Sequence, residues 1–266
     1  MAAKLHRLRA GDKRGRRPAM SNPAPPRIFS RDRRKAVWDR AQLRQQREDA
    51  ARFVLEDMAE DFAERIAFMQ LAPERALLMG SLVGDLPGLD IVIHAPPGGF
   101  DEELPFPGGP FDFIAGFETL ATVNDLPAAL LHMRCALTEG GVAMASLVGA
   151  GSLANLRRAM IAAEPDRPAP RMHPLIDNRA ATALLERAGF RRFVVDSRSL
   201  SVAYRSLDRL VGDLRDQALG NQLARPAPPL GRAALGRARA AFLEHADPEG
   251  RVIERFEILT LTGWKT

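Results

Sequence analysis

Gly80, Gly84 and Gly88, with Asp85 among them, follow the short apolar run Ala76-Leu77-Leu78-Met79. A glycine turn at the end of a buried strand is where backbone can approach a cofactor, because no Cβ stands in the way. These four residues are the candidate cofactor-binding set, yet the glycines fall four apart instead of two, and Leu82 stands between the first pair. The other chemistry-bearing residues are scattered. His94, His132 and His173 have no spacing typical of a metal site and read as solvated or core histidines, so no metal is assigned. Cys135, the single cysteine, excludes an intrachain disulfide, fits a reducing, cytoplasmic setting, and reads as an inert, partly buried thiol on a helix. Asp112 at a strand start reads as a structural cap. There is no Ser-His-Asp or P-loop pattern, and no catalytic residue is assigned.

Charge is divided unevenly along the chain. Residues 1 to 40 hold 13 of the 38 basic residues and 3 of the 33 acidic ones, a net +10, so the remaining 226 carry −5 and give no case for nucleic-acid binding. That basic stretch, rich in Arg and Pro, has no apolar periodicity and reads as a disordered tail up to about Arg31. A basic arm, a transit-like leader and an inert stretch ahead of Met20 all remain open for it. No apolar segment follows it as a secretory signal would require. The longest near-apolar run, Gly140 to Leu153, falls short of the roughly 20 residues that span a bilayer. The 34 Arg against 4 Lys hint at a GC-rich bacterial genome.

The elements that must hold the glycine loop follow from periodicity. Leu55, Met58, Phe62, Ile66 and Met69 recur at helical steps and predict an amphipathic helix over Glu48–Met69, which Pro73 stops. Strands are predicted at Arg75–Met79, Leu89–His94, Phe111–Gly116, Val142–Val148, Phe193–Asp196 and Glu254–Thr262. Helices are predicted at Leu126–Leu137, with Asp125 as N-cap and Pro127 in the first turn, and at Ser152–Ala163, Asp177–Ala188, Leu207–Leu219 and Arg232–His245. Alternating strands and helices predict an α/β fold with a largely parallel sheet. The expected organisation is a tail at 1–40 and one domain at 41–266, with its core at 75–200, a helical insertion at 204–246 and a final strand at 254–264.

Several short segments then occur in a telling order: Leu104-Pro105-Phe106, Phe111-Asp112-Phe113-Ile114, Val123-Asn124-Asp125-Leu126-Pro127 and Leu137-Thr138-Glu139-Gly140-Gly141-Val142. They resemble the second half of a methyltransferase-11 type domain of the class I S-adenosylmethionine (SAM) methyltransferases. More narrowly, the chain is similar to the group holding the malonyl-acyl-carrier-protein methyltransferases of biotin synthesis and the mitochondrial complex I assembly factor. Ala188-Gly189-Phe190, Tyr204, Asp213-Leu214-Arg215, Asp247-Pro248-Glu249-Gly250-Arg251 and Thr262-Gly263-Trp264 favour the assembly-factor branch. The resemblance implies a Rossmann-like sheet with its last strand antiparallel, an N-terminal helix, and SAM as cofactor.

The departures from that pattern cluster around the expected cofactor. Leu78 stands where the family has an acid, Leu82 where it has its second glycine, and His94, Ala95 and Pro96 follow the second strand in place of a carboxylate. Only 24 positions separate Gly80 from Leu104, so the helix after the first strand cannot be full length. Ala121-Thr122 replace a family His-Trp pair. The resulting expectation is a methyltransferase-fold protein with weak or lost SAM binding that acts through a protein partner, such as a complex I subunit. Exposed members among Tyr204, Arg209, Arg215 and Trp264 are the candidate docking residues. The competing expectation is an active methyltransferase in which Gly84, Asp85 and Gly88 rebuild the cofactor loop.

Overall fold

The structure, a computed structural model, describes residues 27–266. The N-terminal part of the expected basic tail lies outside the described residues. Six strands form one sheet: β1 (Arg75–Met79), β2 (Ile91–Ala95), β3 (Phe111–Phe117), β4 (Leu137–Val148), β5 (Arg192–Tyr204) and β6 (Val252–Trp264). Their order is β2-β1-β3-β4-β6-β5; neighbours from β2 to β4 are parallel, and β6 runs antiparallel to both β4 and β5. The sheet is therefore the Rossmann-like arrangement expected, with an antiparallel last strand.

Helices cover both faces, which is why the central strands read as apolar runs without alternation. On one face, α2 (Phe53–Phe68), α4 (Ala154–Ala163), α6 (Leu207–Asp216) and α7 (Arg232–Leu243) bury Met58, Phe62, Leu156, Leu210 and Phe242 against Leu78, Phe113, Phe117, Met144 and Phe256. On the other, α3 (Leu126–Cys135) and α5 (Asn178–Arg187) bury Leu130, Met133 and Leu185 against Met79, Ile114, Ala145 and Leu261. Asp125 and Asp177 cap α3 and α5, accepting from the Ala128 and Ala180 amides at 3.0 and 2.8 Å.

Several boundaries differ from those read in the sequence. The helix predicted from Glu48 begins only at Phe53 because its cap is tertiary: the side chain of Gln217 accepts from the Val54 amide at 2.7 Å. Strand β5 runs to Tyr204, eight residues beyond the predicted Asp196, since it is a sheet edge on which exposed Ser197, Ser199 and Ser201 alternate with half-buried Arg198, Leu200 and Val202. The helix predicted to Leu219 ends at Asp216, and Ala218 takes a left-handed backbone with φ 59°. Residues 80–90 and 96–110 contain no helix at all, so the sequence-expected shortening of the first crossover goes to completion. Cys135 is exposed, not partly buried, because it falls on the outer side of the last turn of α3.

A further helix, α1 (Arg31–Arg44), crosses the boundary expected at residue 40. Ser30 caps it, and it is tied to the domain by ion pairs from Arg44 and Arg47 to the buried Asp216 at 3.1 and 2.8 Å. No helix among the described residues is long and apolar enough to cross a membrane.

Candidate functional site

Connections leave β1 in one direction and β3 in the other, so the carboxyl ends of these two neighbours flank the crevice where a doubly wound sheet takes its ligand. Gly80 and Glu118 stand at that point. Gly80 has φ +73°, and a Cβ there would lie 2.8 Å from the Phe117 carbonyl and collide with the Thr119 methyl. The β3 exit thus presses directly on the glycine turn. Leu82 enters the same crevice, and α1 closes it from above with Arg34 and Trp38.

Arg34 is 4% exposed and wholly engaged. Its Nη1 and Nη2 donate to the two oxygens of buried Glu102 at 3.0 and 2.8 Å, Nη2 also to the Thr119 carbonyl at 2.9 Å, and Nε to Thr122 Oγ1 at 3.0 Å. This fork-to-fork pair sits where a cofactor would enter. The cavity that remains is about 20 Å³, room for about one water. The residues present do not fit SAM in this arrangement.

A second, larger cavity of about 320 Å³ opens on the far side of Glu118, over the ends of β3 and β4 and beneath α4 and α6. Leu156, Met160, Met172, Leu214 and Phe256 make its walls apolar; Arg33, Arg171, Arg215 and His173 bring nitrogen donors. Arg171 is paired with Glu164 at 2.8 Å. Arg33 has no carboxylate partner among the described residues, reaching only the Asn221 carbonyl at 3.5 Å, and its buried Nε has no partner. Burial holds His173 well below the ordinary histidine range, at about 4, so it is neutral at pH 7, and its Nδ1 is buried without a partner.

Glu118 borders both spaces. Burial pushes its carboxyl up to about 8, and the hydrogen bond that Oε2 accepts from the Val148 amide at 2.7 Å opposes this without cancelling it. Its backbone is left-handed, φ 58°, a conformation that costs a non-glycine residue energy and persists only where the surroundings enforce it. A buried, protonated acid at a strand's carboxyl end between two cavities can donate or take one proton near neutral pH.

The four candidate residues from the sequence do not come together. Gly80 lines the filled crevice. Gly84 has φ +91° and open space where a Cβ would be, Gly88 has φ +76° with Ile66 3.8 Å away, and neither borders either cavity. Asp85 meets His94 Nε2 at 2.7 Å on the exposed surface. Leu78 is wholly buried in the core beside α2. Asp112 accepts from the Arg75 amide and the Thr138 hydroxyl, a structural role at the strand start. Among the described residues no group of three or more His, Cys, Asp or Glu is placed to hold a metal ion. Sequence reasoning missed Glu118, Arg34 and Glu102; of these only Glu118 carried a signal, an acid immediately after the apolar run 113–117.

Residues 76–194 match a methyltransferase domain family. With the sheet order and its antiparallel sixth strand, this match makes the chain similar to the class I SAM-dependent methyltransferase superfamily. The chain is 29% identical over 192 residues to the rat protein named arginine-hydroxylase NDUFAF5, mitochondrial, covering 71% of this chain and 54% of the relative. The human protein of the same name is 31% identical over 170 residues, 62% of this chain and 49% of the relative. The malonyl-[acyl-carrier protein] O-methyltransferase of Laribacter hongkongensis is 26% identical over 165 residues, 62% of this chain and 54% of the relative. The chain thus spans about half the length of the curated relatives it matches.

Proposed function

We propose that this protein is a methyltransferase-fold module with weak or lost SAM binding that acts by docking to a protein partner of the respiratory complex I assembly type. The observation that carries this reading is the filled crevice at the ends of β1 and β3, where Arg34, Leu82 and Thr119 leave about 20 Å³ against the roughly 300 Å³ or more of ordinary ligand pockets. Its likeness to the NDUFAF5 proteins supports the choice of partner class. The docking surface is assigned to α6 and α7, where Arg209 and Arg215 are exposed. Tyr204 is 2% exposed and drops out of the candidate set, and Trp264 is half-buried beneath Arg192, whose guanidinium lies 4.7 Å from the ring centre.

Two activities printed for the relatives compete with this reading. O-methyl transfer needs SAM in the crevice. Arginine hydroxylation needs a guanidinium accepted at the site, and the 320 Å³ cavity offers it Arg33 and Arg215 at its lining, a like-charge arrangement that disfavours it.

The test is thermal unfolding with and without SAM or S-adenosylhomocysteine, followed by recovery of complex I subunits from cells by wild type, Arg209→Ala and Arg215→Ala. A cofactor at 100 times its dissociation constant stabilises by about 2.7 kcal/mol, so a clear shift at micromolar SAM overturns the loss of binding. Equal recovery of subunits by wild type and both variants, or none by wild type, overturns the docking assignment.

A further inference from the structure

The 320 Å³ cavity is independent of the SAM crevice, from which Glu118 divides it, and its chemistry points to a ligand of its own. At neutral pH its lining carries no unpaired negative charge among the described residues. Its one acid is Glu118, whose carboxyl burial pushes up to about 8; Glu164, Asp213 and Asp216, outside the lining, are paired with Arg171, with Arg209, and with Arg44 and Arg47. Two cations remain: Arg33, at the start of α1, with its partnerless buried Nε, and Arg215, on the exposed side of α6. Neither meets a carboxylate among the described residues. His173 adds a buried Nδ1 that no group among the described residues satisfies.

Buried donors without acceptors are costly, each by about 1–3 kcal/mol, unless something fills the space before them. The rest of the wall is Leu, Met, Val and Phe. A volume of about 320 Å³ holds roughly ten water-sized groups at about 30 Å³ each. We infer that this cavity binds a small amphiphilic carboxylate, its head between Arg33 and Arg215 and its apolar body of seven or eight carbons lying along Met160, Met172 and Phe256. Arginine suits the head because its planar fork meets both carboxylate oxygens. The apolar body belongs against Met160 of α4 and Phe256 of β6, where burying each methylene contributes about 0.8 kcal/mol.

Isothermal titration of the full-length protein tests this with octanoate, octylamine and inorganic phosphate. The expected result is octanoate binding with a dissociation constant below about 1 mM, and no measurable binding of octylamine or phosphate at the same concentrations. Arg33→Gln and Arg215→Gln each weaken octanoate at least about tenfold. Arg215 is exposed and makes no side-chain hydrogen bond or ion pair among the described residues, so its variant decides the matter if Arg33→Gln proves unfolded by circular dichroism. No octanoate binding, equal binding by wild type and Arg215→Gln, or octylamine or phosphate bound as tightly as octanoate would each overturn the inference. The titration is repeated with SAM present; because the two spaces are separate, octanoate affinity is expected to be unchanged whether or not SAM binds.

Discussion

The two spaces on either side of Glu118 are lined in opposite ways. At the ends of β1 and β3 the molecule has filled its cofactor crevice with its own groups, among them a fully bonded Arg34–Glu102 pair, 4% exposed on both sides. Over β3 and β4 it has kept about 320 Å³ open and left Arg33 and Arg215 without carboxylate partners among the described residues. Charges that are buried and mutually satisfied hold a structure in one arrangement, whereas charges and donors left waiting at a cavity mark a place for something else. On the reading proposed above, the fold is kept while the crevice is closed, and Glu118 stands between the two spaces.

The sharpest way to break the comparison is to remove one half of the crevice pair. Arg34→Ala strands Glu102 as an uncompensated buried carboxylate and is expected to cost about 3–5 kcal/mol, measured by urea unfolding. A loss below about 1 kcal/mol would mean that the crevice is not held shut by this pair. The double replacement Arg34→Met, Glu102→Leu is expected to recover most of that stability, since the charges then vanish together.

Glu118→Gln gives the next largest effect, and it depends on pH. The folded carboxyl titrates at about 8 and the unfolded one near 4.5, so the folded state holds the extra proton between those values. Stability from this group is therefore complete below about pH 4.5 and is lost as pH rises toward 8, at about 1.4 kcal/mol per pH unit. The Gln variant keeps an acceptor for the Val148 amide but cannot ionise. Its stability relative to wild type should be near neutral at pH 4.5 and should improve steadily to pH 8. Parallel curves for the two proteins would show that Glu118 is ionised in the fold, and would remove it as a proton donor.

Asp85→Asn is expected to change stability by less than about 1 kcal/mol and to leave the melting curve in octanoate unaltered. Asp85 is 65% exposed, its histidine partner 49%, and exposed pairs contribute little. A large loss here would return the glycine loop to the centre of the molecule's function.

The same residues show how far sequence reading reaches. Arg75–Met79 was legible to the residue as a buried strand, because an apolar run between Pro73 and Gly80 has few alternatives. The cap at Asp125 was legible because an N-cap acts only three residues ahead of itself. Leu82, read as standing where the family has its second glycine, lines the crevice. The start of α2 was not, since its capping group, Gln217, is 163 positions away in the chain.

The sequence by itself determined the order of strands and helices, their alternation on a largely parallel sheet, and the chemical poverty of the glycine loop. These depend on periodicity and on contacts within a few residues, which a chain carries wherever it goes. Only the tertiary structure decided that α1 would lie across the crevice and bring Arg34 to Glu102, 68 positions away. It alone gave Glu118 its raised proton affinity and left Arg33 and Arg215 facing an open cavity. Burial, desolvation and the pairing of charges are properties of surfaces that meet, and which surfaces meet is settled when the whole chain has packed.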